Sequence, residues 1–268
     1  MLETAPRHPL DALAGVGVLV TRPRGQSDDL ISRIEARGAR AIRFPVIEIA
    51  PAADADAARA AMRAIDEASL AVFTSVNAVE HGIALLDEIP RRVRVAAIGA
   101  RSAARLEQAG FEQVLCPRDG ASSEALLTLA ALAPEEIDGK QVLIVRGEGG
   151  RELLATTLAE RGARVRYAEV YRRVRPRSDA ALVAREGRAG GIDVIVATSV
   201  EGLENLFAML GESEIGWLVR AGFVVLSERI AARALALGVC APPVVAGRAG
   251  DEGIVDALIR WREAGGGR

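Results

Sequence analysis

Val18-Leu-Val-Thr-Arg22 recurs 124 residues along the chain as Val142-Leu-Ile-Val-Arg146, and this echo decides the reading of the fold. Thr74-Ser75-Val76 returns at the same offset as Thr198-Ser199-Val200, and Ile98-Gly-Ala-Arg101 is echoed by Leu226-Ser-Glu-Arg229. Three landmarks recurring in one order describe two copies of one αβ unit. Two similar lobes are expected, and the cleft between two lobes is the first place to look for function.

Working outward from the echo, short and almost wholly apolar runs at 16–20, 70–73, 93–98, 142–145, 192–197 and 223–226 read as strands. Helical patterns fall between them, at 28–36, 55–67, 77–86, 100–108, 122–132, 151–160, 202–209, 230–237 and 253–261. Gly38, Gly110, Gly162 and Gly238 close helices. Val114-Leu-Cys116 and Val244-Val245 supply further short strands. Strands without polar alternation belong to parallel sheets covered on both faces. Five strands per unit predict a doubly wound, flavodoxin-like α/β fold with ligands at the carboxyl ends of the strands. A simple cut near 133–139 would give two consecutive domains. The β-patterned segments Arg43-Phe-Pro-Val-Ile-Glu-Ile49 and Arg166-Tyr-Ala-Glu-Val-Tyr-Arg-Arg173 occupy matching places and could instead pair as a connector, with the lobes exchanging parts. Periodicity leaves both cuts open.

Composition narrows the chemistry. The chain has 268 residues, enough for two cores, and a formal net charge of −2, which gives no overall pull toward nucleic acid. No apolar run approaches the ~18–20 residues that cross a bilayer. Residues 1–15 read as a loosely attached tail. Cys116 and Cys240 are the only cysteines, which suits a soluble, reducing compartment; both close short strands and read as small core residues. With His8 and His81 as the only histidines, a histidine triad or multi-histidine metal site is nearly excluded, and His81 reads as a helix-edge residue. Aromatics at 3 % are too few for a base-stacking platform. Lys140 is the only lysine, so the cations are rigid arginine forks suited to carboxylate or phosphate.

Arg22 and Arg146 follow the first strand of each unit and are candidates for binding an anion; a local salt bridge is the competing role. Arg146 opens Arg-Gly-Glu-Gly-Gly-Arg151, whose glycines match neither a dinucleotide fingerprint nor a Walker A loop. Ser75 and Ser199 join strand to helix. There a hydroxyl caps the helix, and the free amides and dipole also favour an anion. Ser122 and Ser123, in Gly120-Ala-Ser-Ser-Glu124, form a third such start, with Glu124 placed for reciprocal capping from about Ala121. Asn77 lies in a first helical turn beside Ser75. Tyr171, in the connector segment, can donate a hydrogen bond to a leaving hydroxyl or simply pack its ring. Tyr167 shares its strand face by period 2 and is the weaker candidate.

These residues together resemble the uroporphyrinogen-III synthase family. The resemblance is carried by Leu-Val-Thr-Arg-Pro23, Phe-Pro-Val-Ile-Glu-Ile49, Phe-Thr-Ser-Val-Asn-Ala-Val79 and Ala-Ile-Gly-Ala-Arg101. It continues through Ser-Ser-Glu124, Leu-Ile-Val-Arg-Gly147 with Gly-Arg151, Val-Tyr171 and Ala-Thr-Ser199, and so covers nearly the whole chain from Val18. The resemblance implies the exchanged cut: 1–44 with 175–268 as a discontinuous first lobe, 53–166 as the second, and 45–52 with 167–174 as a two-stranded β connector. It implies a cytoplasmic, monomeric enzyme of haem and tetrapyrrole biosynthesis that uses no cofactor or metal. Its substrate would be hydroxymethylbilane, a polyacidic linear tetrapyrrole; no nucleic acid or membrane is implied, and the only macromolecular contact is a transient one with hydroxymethylbilane synthase.

The reaction implied is dehydrative cyclisation with inversion of ring D through a spiro intermediate. Unassisted closure gives the type I isomer, so catalysis is mainly orientation of the substrate. Tyr171 matches the family tyrosine favoured as acid. Ser75, Asn77, Ser122, Ser123, Arg146, Arg151 and Ser199 match the substrate-binding pattern, with Arg22 as a further candidate. Leu-Ser-Glu-Arg-Ile230 departs from a Gly followed by Thr-Thr common in relatives, leaving Ser227 as the hydroxyl there. Two rivals stand beside this reading: a non-enzymatic bilobal receptor for an acidic small molecule, which the repeat alone supports equally, and a nucleotide-binding domain pair, which the missing glycine fingerprint disfavours.

Overall fold

The computed structural model describes residues 11–90, 92–178 and 180–267. In chain order its elements are β1 (Gly17–Val20), α1 (Asp28–Glu35), β2 (Arg40–Arg43), β3 (Glu48–Pro51), α2 (Ala55–Arg63), β4 (Leu70–Phe73), α3 (Val76–Ile83), β5 (Arg94–Ala97), α4 (Ala100–Gln108), α5 (Ser123–Leu127) and α6 (Pro134–Ile137). They continue with β6 (Gln141–Gly147), α7 (Leu153–Glu160), β7 (Arg164–Val174), α8 (Ala181–Arg188), β8 (Val194–Ala197), α9 (Val200–Leu210), α10 (Ile215–Leu218), β9 (Gly222–Val225), α11 (Glu228–Ala236), β10 (Val244–Val245) and α12 (Asp251–Glu263). The chain divides into two compact units. The first comprises the chain up to Glu48 and again from Val174; the second is Ile49–Arg173.

The first unit's sheet runs β10-β9-β8-β1-β2 with every neighbouring pair parallel. Counted along the chain this is the 2-1-3-4-5 order of flavodoxin-like folds. Val18, Val20, Val194, Val196 and Val224 bury one face together with Leu30 and Ile34 of α1 and Ile254, Val255 and Leu258 of α12. The intervening Leu19, Ile195, Ala197 and Val225 are also buried, so no strand position in the sheet centre can be polar.

The second unit's sheet runs β3-β7-β6-β4-β5, and an isolated bridge between Ala96 and Leu115 marks one more position beside β5. Starting from β6, the order is again 2-1-3-4-5, with β3 added at the edge next to β7. The sequence echo explains this. β6 repeats β1, while β8 and β9 repeat β4 and β5. Each unit therefore combines the first two strands of one copy with the later strands of the other. Leu143, Val145, Ala71, Phe73 and Ala168 pack on α3 and α4 through Val79 and Leu106. Val142, Ile144, Leu70 and Val72 pack on Leu126, Leu154 and Leu158 of α5 and α7.

Several expectations need correction. Residues 1–10, His8 among them, lie outside the described residues, but 11–15 are not a loose tail. Leu13 is fully buried with α1 and α12, and its amide donates to Arg37. The single helix expected over 122–132 breaks after α5, because Leu129 is extended and Arg161 takes the carbonyls of Leu127 and Leu132 at 2.9 and 2.7 Å. Val114–Cys116 forms only the one bridge. Cys240 is exposed beyond α11 and is not a core residue, while Cys116 is half-buried with its thiol pushed up by burial and then by Glu107. Among the described residues no helix is long and apolar enough to cross a membrane.

The burial of Leu13 makes it a structural anchor. Leu13→Ala should lower stability by about 2–5 kcal/mol, read as a shifted urea midpoint, as for other buried leucines. An unchanged midpoint would return residues 11–15 to the status of a tail.

Candidate active site

In the second unit β7, β6, β4 and β5 are mutually parallel, so their carboxyl ends share one edge of the sheet. After β4, Ser75 caps α3 by accepting the Ala78 amide at 3.1 Å. The same oxygen lies 3.2 Å from the Tyr171 hydroxyl. Tyr171 is only 3 % exposed; its ring lies 5.7 Å from the His81 ring and is pressed against Gly147, where a Cβ would come within 2.6 Å of the ring. Asn77 is half-buried in the first turn of α3.

Tyr171 reaches this face through an irregularity. Val145 pairs with Ala168 and Arg146 with Glu169, but Gly147 pairs with Tyr171. Val170 is thus an extra residue, a β-bulge on β7. Tyr167 packs on the α7 side of the sheet, whereas Val170 and Tyr171 both pack on the α3 side. The expectation that the two tyrosines share a face fails at this residue, since a one-residue insertion reverses the alternation.

Tyr167 belongs to a different cluster. The Arg146 guanidinium lies 3.8 Å over its ring and bonds Glu169 at 3.0 and 3.2 Å, Glu152 at 2.9 Å, and the carbonyls of Gly150 and Arg151 at 3.4 Å each. Its side chain is 9 % exposed. Desolvation opposes the charge, but bonds to Glu152 and Glu169 outweigh it and hold the guanidinium above its ordinary range. The Tyr167 hydroxyl donates to Glu152. That bond, followed by the one from Arg146, keeps the Glu152 carboxyl below the usual range, whereas burial first and Glu152 second push the Tyr167 phenol up. Of the two roles open to Arg146, the local ion pair is the one seen.

Ser122 caps α5, accepting the Ala125 amide at 3.1 Å; Ser123 opens the helix. The cap is one residue later than expected. Glu124 takes its own backbone amide and then the Ser122 hydroxyl, which lower its pKa. Arg151, with a side chain 75 % exposed, reaches Glu124 only at 3.9 Å.

In the first unit Arg22, Ser199 and Ser227 follow the adjacent parallel strands β1, β8 and β9. Arg22 is ion-paired with Asp251 at the start of α12. Ser199 caps α9 through Gly202 at 3.0 Å, whereas Ser227 caps α11 without a side-chain bond. Thr21 is buried and ties the end of β1 to Val196 at 2.7 Å. The five candidates Ser75, Asn77, Tyr171, Arg146 and Arg151 thus share one edge with Ser122 and Ser123, and the other three share the edge of their own unit. Sequence reading missed Glu152, Glu169, Asp251, the Gly147 notch and the contact of His81 with Tyr171. His81 had a signal, being one turn beyond Asn77 on the same helix; Glu169 had none. Among the described residues no group of three or more His, Cys, Asp or Glu side chains could hold a metal.

The fold and these edges define an α/β protein of two flavodoxin-like units with arginine- and hydroxyl-bearing strand ends. The family profile described as uroporphyrinogen-III synthase HemD matches residues 28–256, and the chain belongs to the uroporphyrinogen-III synthase family. It is 35 % identical to the uroporphyrinogen-III synthase of Escherichia coli over 228 residues, 83 % of this chain and 92 % of the relative. The Salmonella typhimurium protein of the same name is 36 % identical over the same shares. In fold it is similar to the Helicobacter pylori uroporphyrinogen-III synthetase structure (TM-score 0.60, 15 % identity, 92 % and 100 % covered). A Thermus thermophilus uroporphyrinogen III synthase mutant gives TM-score 0.57 at 19 % identity, covering 93 % and 98 %.

The Arg146 cluster should be readable by pH. The depressed Glu152 carboxyl contributes stability that is lost as pH falls through its folded pKa, and the raised Tyr167 phenol contributes stability that is lost as pH climbs past the ordinary phenol range. In an ultraviolet titration, the component removed by Tyr167→Phe should ionise above ~10. In Glu152→Gln it should move down; no movement would mean that Glu152 does not hold the phenol.

Proposed function

We propose that this chain catalyses the cofactor-free dehydrative cyclisation of hydroxymethylbilane to uroporphyrinogen III, inverting ring D through a spiro intermediate. The observation that carries the reading is the Ser75–Tyr171 contact at the carboxyl edge of the second unit. The Ala78 amide donates to Ser75, so the Ser75 hydroxyl proton can turn to the phenol oxygen, leaving the phenol proton for the departing ring-A hydroxyl. Water leaves, and the azafulvene it generates is the electrophile that ring D attacks. Only a small part of Tyr171 is exposed, so its environment is largely protein and not bulk water.

The arginines divide by role. Arg146 and Arg22 are committed to carboxylates of their own units and act by holding strand-end loops in place. Arg151, loosely and externally paired, is the cation of the set that can exchange its partner for a substrate carboxylate, since surface pairs of this kind contribute ~0–1 kcal/mol. On this edge Ser123 offers a hydroxyl donor and Asn77 lies two residues beyond Ser75; Ser199 and Ser227 offer theirs on the edge of the first unit, and the Ser122 oxygen already accepts the Ala125 amide. These contacts orient a flexible substrate, where most of the acceleration lies.

The deciding experiment supplies purified protein with enzymatically generated hydroxymethylbilane and separates the product isomers. Type III product is expected; type I alone would leave a receptor. Tyr171→Phe should lower turnover roughly 10-fold or more, up to the ~10²–10⁴-fold that a general acid contributes. Arg151→Gln should raise KM with kcat kept, the pattern of lost uniform binding. Normal turnover in Tyr171→Phe would remove the phenol from the mechanism and leave the orientation argument standing.

A further inference from the structure

We infer that Glu169 and Gly147 are positioning residues for Tyr171: the Arg146–Glu169 ion pair fixes the last regular rung between β6 and β7, and Gly147 admits the phenol onto the face that the bulge then gives it. The inference rests on the reading of Tyr171 as the acid for its kinetic consequence alone.

Parity along β7 decides which face of the sheet each side chain takes. Along β7, Val165 and Tyr167 pack on the α7 side of the sheet and Ala168 on the α3 side. Regular alternation would send Glu169 and Tyr171 to the α7 side, away from Ser75. Glu169 does go there, where its carboxylate meets the guanidinium of its own register partner Arg146. Immediately beyond, Val170 is the unpaired residue and Tyr171 emerges on the α3 side, against His81 and Ser75. If the rung slipped by one residue, the bulge would be absorbed and the phenol would leave Ser75. Arg146 resists that slip because its head is buried in five hydrogen bonds to four acceptors and stacked on Tyr167, and all of them would have to move with it. On the far side of the bulge the Glu148 amide donates to the Tyr171 carbonyl at 2.8 Å, closing the irregular segment. Gly147 faces the ring directly, and any Cβ there would lie 2.6–3.0 Å from three ring carbons.

The chain has two tyrosines, so ring-labelled tyrosine gives a simple magnetic-resonance spectrum of the whole protein. A cross-peak between the Tyr171 and His81 rings is expected in the native protein. It should be lost in Glu169→Ala and in Gly147→Ala, with the Tyr167 signals still dispersed as in a folded chain. Glu169 is partly exposed, so its variant is the safer test of the two. Retention of the cross-peak in both variants would overturn the inference. In kinetics, Glu169→Ala should lower kcat by the same factor as Tyr171→Phe, with KM changed less than ~2-fold. Combined with Tyr171→Phe it should add no further loss, and an additive loss would equally overturn it. Should Tyr171→Phe itself retain full turnover, the acid reading fails and the cross-peak alone decides the positioning.

Discussion

Strands buried on both faces leave polar side chains nowhere to stand except at the strand ends, and this constraint organises the whole protein. In each unit the sheet centre is closed to polar groups by alternating cores, and β10-β9-β8-β1-β2 in the first unit and β7-β6-β4-β5 in the second run parallel. The carboxyl ends therefore collect what chemistry the chain has. There Thr21, Ser75, Ser122 and Ser199 first satisfy backbone groups that would otherwise be unpaired. Only what remains after that accounting can meet a substrate. Ser75 is distinctive because its oxygen serves a cap and a phenol together.

Charge follows similar logic. A guanidinium taken out of water must be paired, and Arg146 is surrounded by Glu152, Glu169 and two carbonyls. Burial thus converts an attractor of anions into a brace for residues 147–152. Arg151, at the end of that loop, stays in solvent and stays available. The opposed shifts of Tyr167 and Glu152 belong to the brace, and the two tyrosines of one strand do unrelated work because a single inserted residue separates their faces.

Much of this was legible in the sequence for identifiable reasons. The central strands β1, β4, β6, β8 and β9 were readable because nearly complete burial demands unbroken apolar runs, and Ser75 and Ser199 because a helix start needs a cap. Helix α8 was not, because Gly187 lies within Ala181-Leu-Val-Ala-Arg-Glu-Gly-Arg188 and a helix-interior glycine costs about 1 kcal/mol. Its reason is remote: the Trp217 indole lies where a Cβ would be, 2.3 Å away. The break after α5 is equally remote in origin, since Arg161 claims the carbonyls a continuous helix would have used.

By itself the sequence determined the α/β class, the repeated unit and the hydroxyls at strand ends, because each depends on local periodicity or on residue type. Tertiary structure alone decided that Arg22 and Arg146 are spoken for, that His81 lies against Tyr171, and that Tyr171 and Tyr167 face opposite ways. Those outcomes depend on which strand lies beside which and in what register, and pairing between β6 and β7 across a bulge leaves no periodic trace in either strand.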